Sequence, residues 1–418
     1  MLNKIILILN IASKSLIKNR LRTILTILGI VIGITAVIVV MSAGEGLKQQ
    51  VTSQLDAFGS NIIQIETKIP SKSRNSSDNA FAQAQGVQIT TLTKEDGQAI
   101  CKIKNIANHY AALIDQEVIN YLDDNKLITI IGTEPAFIEM DKSEIAQGRF
   151  FTEEEVNNLS RVVVLGSKIA NDLFGNQNPL DQQVKIGKNQ FRVIGVLEER
   201  GNTFGLDFDN IAYLPLDTLQ KVIMGVNHVQ WITAQYKNPS LEIQTAEEIT
   251  ELLRNRHQIS DPEKDDFSVT TMSEAREIVD TIFNTITLLL IALAGISLLV
   301  GGVGIMNIMY VSVSERTFEI GLRKAVGAKK SQILWQFLLE AIIVTLLGGI
   351  VGIILGFLIS WLITLIAQQL NFNWSFILPI QSIIIAFGFC SAVGLIFGYY
   401  PAKTAAEMDV IKALIKQE

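Results

Sequence analysis

Between Thr281 and Ser314, and again between Ala341 and Ala402, the chain carries no Asp, Glu, Lys or Arg. A bilayer core of about 30 Å needs roughly 20 mostly apolar residues per helix, and a buried helix of a soluble protein rarely runs that far without a charge. The first run exceeds one span. The second, 62 residues long, holds two, broken at QQLNFNWSFILP (residues 368 to 379) by polar and aromatic residues and a proline. A further uncharged run, ILTILGIVIGITAVIVVMSA from Ile24 to Ala43, supplies another span. The chain is therefore read as a membrane protein with four transmembrane α-helices, at 23–44, 281–313, 336–367 and 378–400, and a short external loop at 368–377. An overall content of 49% hydrophobic residues would suit a soluble protein as well; the distribution decides.

Lys and Arg placement orients the spans, because short cytoplasmic segments carry the basic excess. Residues 1 to 44 hold Lys4, Lys14, Lys18, Arg20 and Arg22 and no acid. Residues 45 to 280 hold 22 basic and 35 acidic side chains, against 13 and 6 in the rest of the chain. Both termini (1–22 and the tail 401–418) and the loop 314–335 are expected in the cytoplasm, and the large segment 45–280 outside. That places the chain as a multi-pass protein of the plasma or inner membrane. The opening MLNKIILILNIASKSLIKNR is read as an amphipathic helix on the inner surface rather than a cleaved signal, since Asn10 interrupts its apolar part.

The outer segment reads as an α/β domain: a split βαβ subdomain with a β-rich insert at about 119–228. NIIQIETK (Asn61 to Lys68) predicts a strand, and SKSRNSSDNAFAQAQG after it a mobile loop. Thr93 with Asp96 predicts a helix start, and Ala99, Ile100, Ile103 and Ile106 a helical stripe. WITAQYK, TAEEITELLRNR and DFSVTTM predict a second strand–helix–strand unit, with Thr245 and Glu248 as a capping box and Ile249, Leu252 and Leu253 as the buried face. KLITIIG, RVVVLG, QVKIGKNQFRVIGVLEE and IAYLP are the strands of the insert, with a turn at Ile186 to Gln190.

This domain shows no GxSxG, no HExxH and no paired carboxylates suited to catalysis, so a binding or force-receiving role is expected rather than an enzyme. Cys101 and Cys390 are too far apart in context to pair. His109, His228 and His257 are single residues without ligand spacing, so no metal site is expected. The acidic balance is a solvated face and points to no nucleic acid.

Ser273 is a candidate N-cap, and no proline follows before Pro379. A helix is predicted to start near residue 274 and continue to about Val313, about 60 Å at 1.5 Å per residue, roughly twice the hydrocarbon thickness. A break at Gly301–Gly302 is the alternative. Gly29 and Gly33, Gly348, Gly352 and Gly356, and Gly394 and Gly398 repeat at intervals of four, which lets helices in lipid approach closely. No acid or base lies in mid-span to suggest an ion path.

Within SERTFEIGLRKAVGAKKSQ, Phe318, Leu322, Ala325 and Val326 fall on one helical face and Glu315, Glu319 and Arg323 on another. Gly327 is the predicted stop, and Glu340 is expected to pair with this loop.

GGVGIMNIMYVSVSERTFEIGLRKAVGAKKSQILWQFLLEA, KNRLRTILTILGIVIGITAVIVVMSAGEG and GLIFGYYPAKTAAEMDVIKAL resemble the permease signature of MacB-type ABC exporters, within the FtsX-like permease superfamily. GRFFTEEEV, VVVLGSKIANDLFG and FRVIGVLEERG resemble that family's exterior domain. The resemblance implies a homodimeric efflux permease in which ATPase domains push on the cytoplasmic loop and the second span carries the movement outward. Glu315, Arg316, Phe318, Glu319, Leu322, Arg323, Lys324 and Gly327 would then bear on the ATPase, with Arg316 and Arg323 forming ion pairs and Phe318 and Leu322 the apolar anchor.

No G-x-x-x-x-G-K-[ST] occurs, and Gly327 to Ser331 only imitates part of it. ATP and Mg are accordingly expected on a partner ABC ATPase subunit, and no cofactor in this chain. In Gram-negative relatives a periplasmic adaptor and an outer-membrane channel would complete the assembly. An FtsX-like regulator of a cell-wall hydrolase and a lipoprotein-releasing permease are the alternatives.

Overall fold

The computed structural model describes residues 20–56, 59, 61–70, 89–122, 124–141, 143–175, 177–203, 206–369 and 374–415. The N-terminal amphipathic helix and the Ser/Asn-rich loop expected above lie almost wholly outside these. The chain divides into two compact units, Thr52–Ile278 and the remainder, Met1–Val51 with Val279–Glu418.

The membrane unit is a helical bundle. Its long elements are α1 (Arg20–Asp56), α5 (Met272–Glu315), α7 (Lys330–Gln369) and α8 (Ile380–Glu407), all long and apolar enough to cross a bilayer. Each outruns its predicted span. α1 continues past residue 44 to Asp56, α7 begins at Lys330, and α8 runs through Pro401 to Glu407. Helix length follows backbone hydrogen bonding, whereas uncharged length measures only the apolar part. The N-cap expected at Ser273 is corrected: Thr271 Oγ1 accepts from the Glu274 N–H, and Ser273 lies inside α5 with its hydroxyl donating to Glu242. α5 is one unbroken helix of 44 residues, so no break occurs at Gly301–Gly302.

Glycine seams hold the bundle. A Cβ on Gly29 would sit 2.9 Å from the Gly301 Cα, and one on Gly33 2.7 Å from the Leu298 side chain, so α1 and α5 meet backbone to backbone. Gly348, Gly352 and Gly356 of α7 receive Ile30, Ile34 and Ile38 of α1, and Thr35 Oγ1 donates to the Gly352 carbonyl at 3.0 Å. Gly394 and Gly398 of α8 abut Ile342 and Ala341 of α7, and Gly302 receives Phe397 of α8. Such seams substitute close packing and interhelical hydrogen bonds for a hydrophobic drive that lipid does not supply. Leu288, Leu293, Leu299 and Ile354 stay exposed on the outside, as a lipid-facing surface requires.

The other unit is one mixed sheet with helices against it. Ten strands join in the order β12–β1–β11–β2–β3–β10–β5–β7–β4, with β6 bridging β2 and β7. Their ranges are β1 Ile62–Thr67, β2 Ile106–Tyr121, β3 Asp124–Thr133, β4 Ile145–Gly148, β5 Val162–Leu165, β6 Gln183–Ile186, β7 Asn189–Leu197, β10 Ile211–Pro215, β11 Trp231–Tyr236 and β12 Phe267–Thr271. A short ribbon, β8 Asn202–Thr203 with β9 Leu206–Asp207, stands apart. Pairings of β2, β3, β10, β5, β7 and β6 close a ring, so the insert is a small barrel whose wall includes the far half of β2. Gly187, with φ +55°, lets β6 turn into β7 through two residues.

Side chains alternate between two faces, apart from bulges where β2 meets β11 and where β7 meets β4 and β5. Ile63, Leu113, Ile130 and Ile232 point to a core shared with α2 (Lys94–Ile100), α3 (Ser167–Phe174) and α4 (Glu242–His257). Ile62, Tyr110, Ala112, Ile131 and Tyr213 point to a second, aromatic cluster with Phe137, Phe150 and Phe208.

Two local expectations differ from the structure. The stripe Ala99–Ile106 is not one helix: α2 ends at Ile100 and Ile106 opens β2. β2 itself was not foreseen. Thr245 is inside α4, its hydroxyl donating to the Leu241 carbonyl, so it forms no capping box with Glu248. By contrast Thr93 and Asp96 do form one at the start of α2.

Asp96 also receives Arg256 Nε at 2.5 Å, and His257 places Nε2 3.4 Å from it while Nδ1 lies 2.8 Å from Asp266. The two carboxylates hold His257 charged and push its pKa up to about 9. A folded-state pKa raised above the ordinary value of about 6.5 adds stability that is complete below pH 6.5 and lost as pH rises through 9. Unfolding of the full chain in detergent, followed by near-ultraviolet circular dichroism, should therefore show a loss on the order of 2 kcal/mol between pH 6.5 and 9.5. His257→Gln should flatten that slope; an unchanged slope would remove His257 as its source.

Candidate coupling site

α6 (Thr317–Ala325) follows α5 after a single non-helical residue, Arg316. Gly327 ends it: its φ of +99° is a left-handed conformation that favours glycine, and the Ala328 N–H turns back to the Arg323 carbonyl at 3.0 Å. The apolar spacing sorts as the helix period requires. Ile320 and Gly321 are buried, whereas Phe318 is 45%, Leu322 51% and Val326 83% exposed, and Ala325 shares their side. An apolar stripe thus faces outward from a nine-residue helix whose other side is already occupied.

That other side rests on α9 (Val410–Ile415), a helix within the segment expected to be the cytoplasmic tail. A Cβ on Gly321 would lie 2.8 Å from the Ala413 Cβ, and Lys324 Nζ donates to the Met408 carbonyl. The small residue at 321 and the spacing of Val410, Ala413 and Leu414 were the available signal. The tail therefore braces α6, and Lys324 is a brace rather than a free cation.

The charged face is an ion-pair chain. Arg316 donates to Glu319 at 2.8 Å and to Glu340 at 3.1 Å, and Arg323 Nη2 lies 2.6 Å from Glu319. Arg323 also donates to Gln336, and the Arg316 guanidinium sits 5.4 Å from the Phe337 ring centre. Glu340 does pair with the loop as expected. Arg316 was expected to meet an ATPase; instead its side chain, 14% exposed, is committed inside the chain. Arg323 stays partly open at 39%. Glu315 ends α5 at the surface. These contacts tie α6 by charge to Arg316 at its junction with α5 and to α7, and by packing to α9. They leave Phe318, Leu322, Ala325 and Val326 exposed, with the partly open Arg323 alongside.

Residues 23–252 match the MacB-like periplasmic core domain, and residues 291–410 match the FtsX-like permease C-terminal domain. The chain belongs to the MacB-like ABC transporter permease family. This MacB-like permease is 35% identical over 402 residues to the macrolide export ATP-binding/permease protein MacB of Bdellovibrio bacteriovorus, a match covering 96% of this chain and 60% of that protein. It is 36% identical over 410 residues to MacB 2 of Aeromonas hydrophila, covering 97% and 60%. The chain thus spans about 60% of the length of these curated relatives. The crystal structure of the periplasmic region of MacB from Actinobacillus actinomycetemcomitans aligns with 54% of this chain and 95% of that one, at 22% identity and a TM-score of 0.46.

Proposed function

We propose that this permease is the transmembrane part of an ABC-type export system, converting ATP-driven movement at α6 into movement of the exterior domain and efflux of a macrolide, peptide or other amphiphile. The observation that carries the proposal is α5, one helix from Met272 to Glu315, about 66 Å long, with the braced α6 at one end. A rigid rod transmits displacement; a broken one would dissipate it.

In this reading ATP and Mg are bound by an ABC ATPase outside these 418 residues, which docks on Phe318 and Leu322. Two copies of the chain form the dimer that two ATPase domains require. Both termini and α6 lie on the cytoplasmic side of the inner membrane, and in a Gram-negative cell a periplasmic adaptor and an outer-membrane channel receive the substrate.

Reconstitution with the ATPase in proteoliposomes tests this: ATP-dependent movement of a fluorescent amphiphile across the membrane is expected. ATP-dependent activation of a cell-wall hydrolase, or release of a lipoprotein, with no such movement would overturn it.

A further inference from the structure

The aromatic face of the exterior sheet is not filled to its edge. Between β12, β1, β11 and β2 below and Phe137, Phe208 and the first turn of α5 above lies a cavity of about 500 Å³, a size typical of sites for small organic ligands. Every residue lining it belongs to the exterior unit. Tyr110, Trp231, Phe137 and Phe208 make its walls aromatic.

Two carboxylates reach it, and they differ. Asp141 is neutralised by Arg200, 2.5 Å away, whose guanidinium also covers the Phe208 ring at 4.2 Å. Glu66 has no such partner among the described residues. Gln64 is the polar neighbour that favours its charged form, and the Gln64 amide oxygen accepts from Thr233 Oγ1 at 3.1 Å. Burial pushes the Glu66 carboxyl above the usual carboxylate range, as expected of an acid short of a counter-charge.

An anionic ligand would add like charge to this cavity. A wholly apolar ligand would desolvate Glu66 without compensation. A cation satisfies the carboxylate and gains from the aromatic walls at the same time. We infer that this cavity is a binding site for a small organic cation with an aromatic or apolar body, its charge set against Glu66 and its body against Trp231, Tyr110 and Phe137. Met272 and Ala275 of α5 line the same space, so occupancy bears directly on the first turn of that helix.

Rhodamine 6G and fluorescein share a xanthene core and carry opposite charge, which makes them suitable probes. The full chain in phosphatidylcholine nanodiscs, titrated by fluorescence anisotropy against empty discs, should bind rhodamine 6G saturably with one site per chain. Glu66→Gln, close to isosteric, should weaken that binding at least about tenfold. Ala275→Trp should fill the cavity and abolish it, and fluorescein should not saturate. Thermal melts within a few degrees of wild type would show both variants folded, and Glu66→Gln keeps the test intact should the tryptophan disturb the helix start. No saturable binding above empty discs, unchanged affinity in Glu66→Gln, or equal binding of fluorescein would each overturn the assignment. The readout needs neither ATP nor an ATPase, so it succeeds or fails separately from the export reading.

Discussion

A chain carrying Phe318→Asp and Leu322→Asp is expected to fold its bundle normally and to lose stimulation of an ABC ATPase by at least about tenfold. Both side chains are about half exposed on the outer face of α6, so neither change opens a hole in the bundle. On the inner face Gly321 keeps its seat on α9 and Ile320 stays buried. Apolar anchors near the centre of an interface carry most of its binding energy, often 2 kcal/mol or more each, and two buried carboxylates in their place would be left unpaired. ATP hydrolysis in the reconstituted complex and co-purification of the ATPase measure the effect, with the thermal melt of the isolated chain as control. Normal stimulation would move the docking surface elsewhere.

The second large effect is internal. Arg316→Met should destabilise the bundle by about 3–5 kcal/mol, because Glu340, 6% exposed and 3.1 Å from the guanidinium, would be left as an uncompensated buried charge. Adding Glu340→Leu should recover most of that loss, since removing both partners leaves no stranded charge. Thermal unfolding in detergent of the two single variants and the double variant reads the coupling. If Arg316→Met alone is harmless, Arg316 does not lock α6 to α7, and its guanidinium is available to a partner.

Legibility in the sequence followed the strength of the constraint. The spans were visible because lipid forbids charge over a fixed length, and the glycine pairs because they recur at one helical period. Gly301, Gly302 and Gly349 escaped that reading. They pack against Gly29, Phe397 and Cys390 in the structure, contacts between helices that spacing within one helix does not encode.

β2 was missed for a different reason. Over Tyr110 to Ile114 both faces of the strand are packed, so no alternation of apolar and polar residues marks it. Ile100, Ile103 and Ile106 meanwhile keep helical spacing across a turn. Thr245 looked like a cap because its side chain does accept local hydrogen-bonding roles, yet inside α4 it donates back to Leu241. At α6 the exposed stripe was legible. That Glu340 pairs with the loop was legible too; that Arg316 is the cation it takes, and that Lys324 is held by the Met408 carbonyl, was not, because those choices are made only in tertiary structure.

The unbroken α5 is what the functional proposal depends on, and a proline tests it most directly. Val300 is 68% exposed, so Val300→Pro removes little packing while deleting one helical hydrogen bond and pushing against the carbonyl of Ile296. Transport and ATP hydrolysis should be measured in the same proteoliposomes, with Val300→Ala as control. A rigid α5 predicts that hydrolysis persists while ATP-driven transport falls at least about tenfold. Transport at the wild-type rate per ATP hydrolysed would contradict it.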